Sequence, residues 1–117
     1  MNSIIEVKNK ILNEPENWQI PFMDFVDDFR RYGDFSKIET AFQRGNEKFD
    51  ALLASTVEYL CNEQGIIVPN WILSIPACDK PWFVSGIENL KAIALVESPL
   101  EFRIRKIFVL ENFLYRV

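Results

Sequence analysis

Three groups of residues in this 117-residue chain have types and spacings that chemistry uses, and histidine is in none of them, because the sequence contains none. Asp24, Asp27 and Asp28 would share one face of a helix, where a divalent ion or a general base could use them. The simpler reading is a solvated acidic first half of a helix, balanced by Arg30 and Arg31 at its end. Cys61 and Cys78 invite a redox reading. They form no CxxC pair, however, and Cys61 falls on an apolar stripe with no lysine or arginine beside it. Reduced, partly buried thiols are the expected outcome. The third group is Arg103, Arg105 and Lys106, flanked by Phe102 and Phe108. Basic and aromatic residues mix in this way at nucleic-acid and acidic-partner surfaces. The simpler alternative is solvated arginines, or pairs with Glu97, Glu101 and Glu111.

The absence of histidine removes Ser-His-Asp and Cys-His catalysis, histidine-containing zinc sites and any nuclease relying on imidazole. None of the four glycines falls in a phosphate-cradling pattern. We therefore expect no enzyme, with no catalytic residues, metal or cofactor. A formal net charge of −4 disfavours broad nucleic-acid binding, which needs a positive field. A helix-turn-helix reader would need basic and amide residues facing outward on its recognition helix, and only the last helix comes near that. The N-terminal MNSIIEVKNK places charges where a signal peptide needs an unbroken apolar run. No uncharged stretch is long enough to span a membrane, so a cytoplasmic setting is expected.

With 49 % hydrophobic residues, including ten Phe and three Trp, the chain has ample material for one core. A domain of this size buries roughly two-thirds of its unfolded surface. Ser3 and Glu6 form a capping-box pattern ahead of Ile4, Val7, Ile11 and Leu12, predicting a helix to about Asn13. Phe22, Phe25, Val26 and Phe29 predict a second helix, begun near Pro21 and ended by Gly33. Asp34 or Ser36 would cap a short helix carrying Ile38, Ala41 and Phe42 and closed by Gly45. Residues 46–64 predict the most regular helix, with Phe49, Leu52, Leu53, Thr56, Val57, Leu60 and Cys61 in one stripe, capped by Asn46 and ended by Gly65. Three prolines break residues 66–81, leaving an extended piece at Ile66–Val68 and a single turn after Pro69. Trp71, Trp82 and Phe83 in and beside this segment form either a lid over the core or an exposed anchor for a partner.

A further helix is expected from about Ile87 to Val96, with Ile87, Leu90, Ile93, Ala94 and Leu95 inward. Ser98-Pro99-Leu100-Glu101 reads as the start of a last helix, with Ser98 as its cap. Its alternative is a short strand near Ile107 followed by a final turn from Glu111 to Tyr115, since β-branching and alternation rise there. No repeat or linker divides the chain. The expected architecture is a single all-α domain over residues 1–117, a bundle of five to six helices with at most a short extended segment.

The second half carries a distinctive pattern. It runs Leu53…Leu60, Gly65…Val68-Pro69-Asn70-Trp71, Pro81-Trp82-Phe83, Leu90-Lys91-Ala92, Glu97-Ser98-Pro99, Phe102-Arg103-Ile104-Arg105 and Ile107-Phe108-Val109 with Asn112. Over residues 53–117 it resembles a set of small, functionally unassigned bacterial proteins encoded beside nucleotidyltransferase-like toxins or helix-turn-helix regulators. The resemblance implies a setting, the antitoxin-like member of a two-gene module, and a protein partner encoded nearby. On that reading Trp82, Glu97, Arg103, Arg105 and Lys106 are the expected partner-binding residues. A nucleic-acid-binding regulator using the same basic cluster is the alternative.

Overall fold

The computed structural model describes residues 1–115. The chain is mainly helical, with α1 (Ile4–Asn13), α2 (Gln19–Tyr32), α3 (Glu47–Gln64), α4 (Lys91–Glu97) and the single turn α5 (Leu100–Arg103). Two short strands, β1 (Trp82–Phe83) and β2 (Ile107–Phe108), pair in parallel, with Trp82 opposite Ile107 and Phe83 opposite Phe108. Among the described residues no helix is long and apolar enough to cross a membrane.

The first three helices form where local chemistry and apolar spacing agree. Ser3 accepts the Glu6 amide at 3.2 Å, and Glu6 accepts the Ser3 amide at 3.0 Å, closing the capping box of α1. Its buried face is Ile4, Val7, Lys8 and Ile11, while Leu12 turns outward. Helix α2 tolerates Pro21 because the first-turn amides have no intrahelical acceptor to lose. It buries Phe22, Phe25, Val26 and Phe29 and ends at Gly33, whose φ of +58° suits a residue without Cβ. Helix α3, capped by Asn46 and ended by Gly65, is buried without interruption from Asp50 to Val57. It packs against α1, α2 and α5 and is the axis of the core.

The segment after α2 departs from expectation. Asp34 caps only a short 3₁₀ turn (Phe35–Lys37), and residues 38–46 are irregular. Ile38 and Phe42 are buried as expected, but Ala41 is exposed. Backbone groups that a helix would pair internally are taken by side chains from elsewhere. Trp71 Nε1 donates to Ile38 O at 2.9 Å, Lys8 Nζ donates to Gln43 O, and Asp50 accepts the Gly45 and Asn46 amides. Further on, Ile66–Val68 joins no sheet and Ile67 stands exposed, while the turn after Pro69 is the 3₁₀ helix Asn70–Ser74.

The C-terminal segment takes the strand alternative. Ser98 does not cap α5, whose N-cap is Pro99. Its hydroxyl lies inside instead, 2.5 Å from Ala94 O and 3.1 Å from Val109 O, and accepts the Val109 amide at 2.8 Å. One buried oxygen thus ties the end of α4 to the residue after β2. Lys106 reverses the chain between α5 and β2 with a φ of +60°, a left-handed conformation that L residues adopt at a cost.

Candidate functional site

The five residues expected to bind a partner do not gather on one surface. Trp82 sits half-buried in an aromatic hub. Its ring lies 6.3 Å from Trp18 and 5.9 Å from Phe49, edge-on to the latter, and Trp18 in turn reaches Phe22 and Phe113. Trp71 and Phe83 are likewise partly buried, Phe83 stacking on Phe108 at 5.1 Å. The proline-rich segment is therefore a lid over the core, with its rings turned inward.

Arg105 is the clearest correction. It is 3 % exposed, and its NH1 lies 2.9 Å from Glu58 Oε1 and 3.0 Å from Glu101 O, while NH2 donates to Ile72 O at 3.1 Å. A guanidinium taken out of water needs a carboxylate and carbonyls around it, and these come from α3, α5 and the 3₁₀ turn at Asn70–Ser74. Arg105 is thus an internal tie, which leaves Arg103 and Lys106 as the exposed cations of the cluster. Arg103 Nε donates to Ser98 O at 2.6 Å, and Lys106 Nζ approaches Asp79 O at 3.5 Å. Lys8 makes the second buried ion pair, with Asp50, between α1 and α3. Neither pair is foreseen from sequence, because nothing local to Lys8 or Arg105 signals a carboxylate some forty residues away.

The other chemical candidates are equally quiet. Cys61 and Cys78 are buried and free of any disulfide. Burial, with a smaller contribution from Glu58, pushes the Cys61 thiol up to about 11, and burial also raises Cys78. Both stay protonated near neutrality and are poor nucleophiles. Asp24 lines, with Asn2, Lys10, Asn13, Asn17, Ile20 and Pro21, an open pocket of about 260 Å³ that is partly polar and partly apolar. Among the described residues no three potential metal ligands come together.

What does gather is apolar. Helix α4 reads KAIALVE, and of its residues Ala94 alone is buried. Ile93 is 46 % exposed, Leu95 47 % and Val96 76 %, and Leu100 and Ile104, one turn apart at α5, are 69 % and 52 % exposed. The helix expected from Ile87 starts only at Lys91, after a 3₁₀ turn (Glu88–Leu90), and Ile87, Ile93 and Leu95 face outward against expectation. At the end of α4 the buried Ser98 hydroxyl donates to the Ala94 carbonyl and accepts the Val109 amide, which ties this end of the helix to the residue after β2. Beside α4 runs an open groove of about 600 Å³, lined by Leu90, Ile93, Glu97, Leu110, Glu111, Asn112 and Tyr115. Glu97, alone of the five expected residues, lies in this groove, and its carboxylate accepts the Glu111 amide at 2.9 Å.

No family model, curated protein or solved structure matches the chain.

Proposed function

We propose that the chain is a non-enzymatic protein-interaction module that binds a protein encoded beside it, as the antitoxin-like member of a bacterial, cytoplasmic two-gene pair. The observation that carries this reading is the outward turn of α4. A helix that buries one alanine and presents Ile93, Leu95 and Val96 to solvent, with Leu100 and Ile104 following, gains little from its own fold. Contiguous exposed apolar surface of this kind marks protein-binding sites in soluble proteins. Glu97 and Arg103, at the two ends of the Ser98-Pro99 break, supply polar groups around it. The two-gene setting draws on the sequence resemblance over residues 53–117, and the contact surface draws on the geometry.

The nucleic-acid alternative has less support, because burial of Arg105 leaves Arg103 and Lys106 as its exposed cations. Two cations would give a salt dependence of slope about −2 at most.

One purification separates the two. Tagged protein taken from its host with the neighbouring genes intact should retain one stoichiometric, neighbour-encoded protein and no nucleic acid by absorbance ratio. A solitary protein would contradict the interaction reading, and nuclease-sensitive nucleic acid in the eluate would favour the alternative.

A further inference from the structure

We propose, on the footing of the interface reading above, that the groove beside α4 takes an amphipathic helical segment of the partner that carries lysine or arginine along the border of its aliphatic face. The groove lining supplies the apolar half of this match through Leu90, Ile93 and Leu110. The acidic half comes from Glu97 and Glu111 in the same lining, joined by the 2.9 Å bond from the Glu111 amide to the Glu97 carboxylate. Among the described residues, no lysine or arginine of the chain forms an ion pair with either carboxylate. Lys91 pairs with Glu88 at 3.0 Å, and Arg103 is engaged by the Ser98 carbonyl.

An occupant that covers the aliphatic lining and brings positive charge to Glu97 and Glu111 matches the groove on both counts. Aliphatic anchors at helical spacing with flanking cations meet both demands. Complementary charge speeds the encounter and excludes acidic competitors. A nucleic acid would be repelled by the same carboxylates. A second copy of this chain would bring an identical acidic lining, so self-association at this face is disfavoured by like charge.

The test uses the full-length chain, ¹⁵N-labelled, and three synthetic helical peptides of about 18 residues with one leucine stripe. Their flanking positions are all Lys, all Gln or all Glu. The expected result is amide shifts centred on Leu90, Ile93 and Leu110, with the Lys peptide binding about tenfold or more tightly than the Glu peptide. The preference should collapse in Glu97→Gln plus Glu111→Gln, which keeps an acceptor for the Glu111 amide. It should reverse in Glu97→Lys plus Glu111→Lys. Equal affinities, a preference for the Glu peptide, shifts outside the groove, or a dimer in sedimentation that occupies this face would each overturn the proposal. Absence of binding by all three peptides would overturn it too. The underlying interface reading fails on different evidence, namely a neighbour-encoded partner that is absent from the purification or indifferent to changes at Val96 and Leu100.

Discussion

The two halves of the molecule spend their apolar residues differently. In α1, α2 and α3 most of the large side chains point inward, Leu12, Ile20 and Tyr32 aside, with Ile4, Ile11, Phe22, Phe29, Leu52, Leu53 and Leu60 all at 1 % exposure or less. In the α4–α5 region Phe102 of α5 is buried, but on α4 only Ala94 goes in, and Ile93, Leu95, Val96, Leu100 and Ile104 stay out. The first arrangement is what a core requires, since burying a Leu or Phe is worth roughly 1.5–3 kcal/mol. The exposed aliphatic groups of α4 bring no such gain to the isolated chain. The region is held in place by Phe102, Ser98, Arg105 and the two-residue strands, while those aliphatic groups face water.

The largest effects should come from disturbing the first half. Phe29→Ala should cost about 3–5 kcal/mol of unfolding free energy, whereas Leu95→Ala should fall within about 0.5 kcal/mol of the parent. Urea unfolding of both variants checks the contrast, and comparable losses would erase the distinction between the two regions.

Next in size is the tie that joins them. Arg105→Ala leaves Glu58 at the edge of the core without its cation, and Glu58→Ala leaves the buried guanidinium without its carboxylate. Each should cost about 3 kcal/mol, and the double change to apolar residues of similar volume, Arg105→Met with Glu58→Leu, should recover much of it. A double-mutant cycle by thermal or urea unfolding measures this. Additive losses would place Arg105 at the surface, where the sequence suggested it.

A smaller effect belongs to the turn that delivers β2. Lys106 holds a left-handed backbone, so Lys106→Gly should stabilise the fold by about 1 kcal/mol, and Lys106→Val should destabilise it by at least as much. Loss of stability in the glycine variant would mean that the lysine side chain contributes more than its conformation costs.

The smallest effect is a pH dependence confined to the first half. Ser3, through its amide and hydroxyl, holds Glu6 below its ordinary value of 4.5. A carboxylate with a depressed folded pKa contributes stability that is fully present above its unfolded value and lost as pH falls through the folded one. The contribution of the α1 cap should therefore fade below about pH 4.5, and Glu6→Gln should remove that part of the acid sensitivity. Unfolding of the two proteins between pH 6 and 3 provides the comparison, and parallel curves would count against the cap.

The same contrast governs how much was legible beforehand. α1, α2 and α3 are readable because an apolar period coincides with a cap or a glycine terminator, the Ser3–Glu6 box for α1, Gly33 for α2, and Asn46 with Gly65 for α3. Residues 91–97 are not, because an almost wholly apolar KAIALVE has no polar side to give direction. Ser98 itself has the local chemistry of a cap, and nothing nearby announces Val109 as its partner. Arg103, Arg105 and Lys106 look alike in sequence. They diverge because Glu58 of α3 draws one inward, while the left-handed turn at Lys106 leaves its neighbour outside. Residues 38–46 fail as a helix for a related reason, since Lys8, Asp50 and Trp71 claim their backbone.

The most direct test of the central claim, that the α4–α5 face is a protein interface, is partner retention by Val96→Asp plus Leu100→Asp beside the parent chain. Both tagged proteins would be purified from the host with neighbouring genes intact, and their melting temperatures compared. The account predicts an unchanged melt and loss of the neighbour-encoded protein, because both side chains face solvent in the isolated fold. Full retention of that partner by a normally folded variant would contradict it.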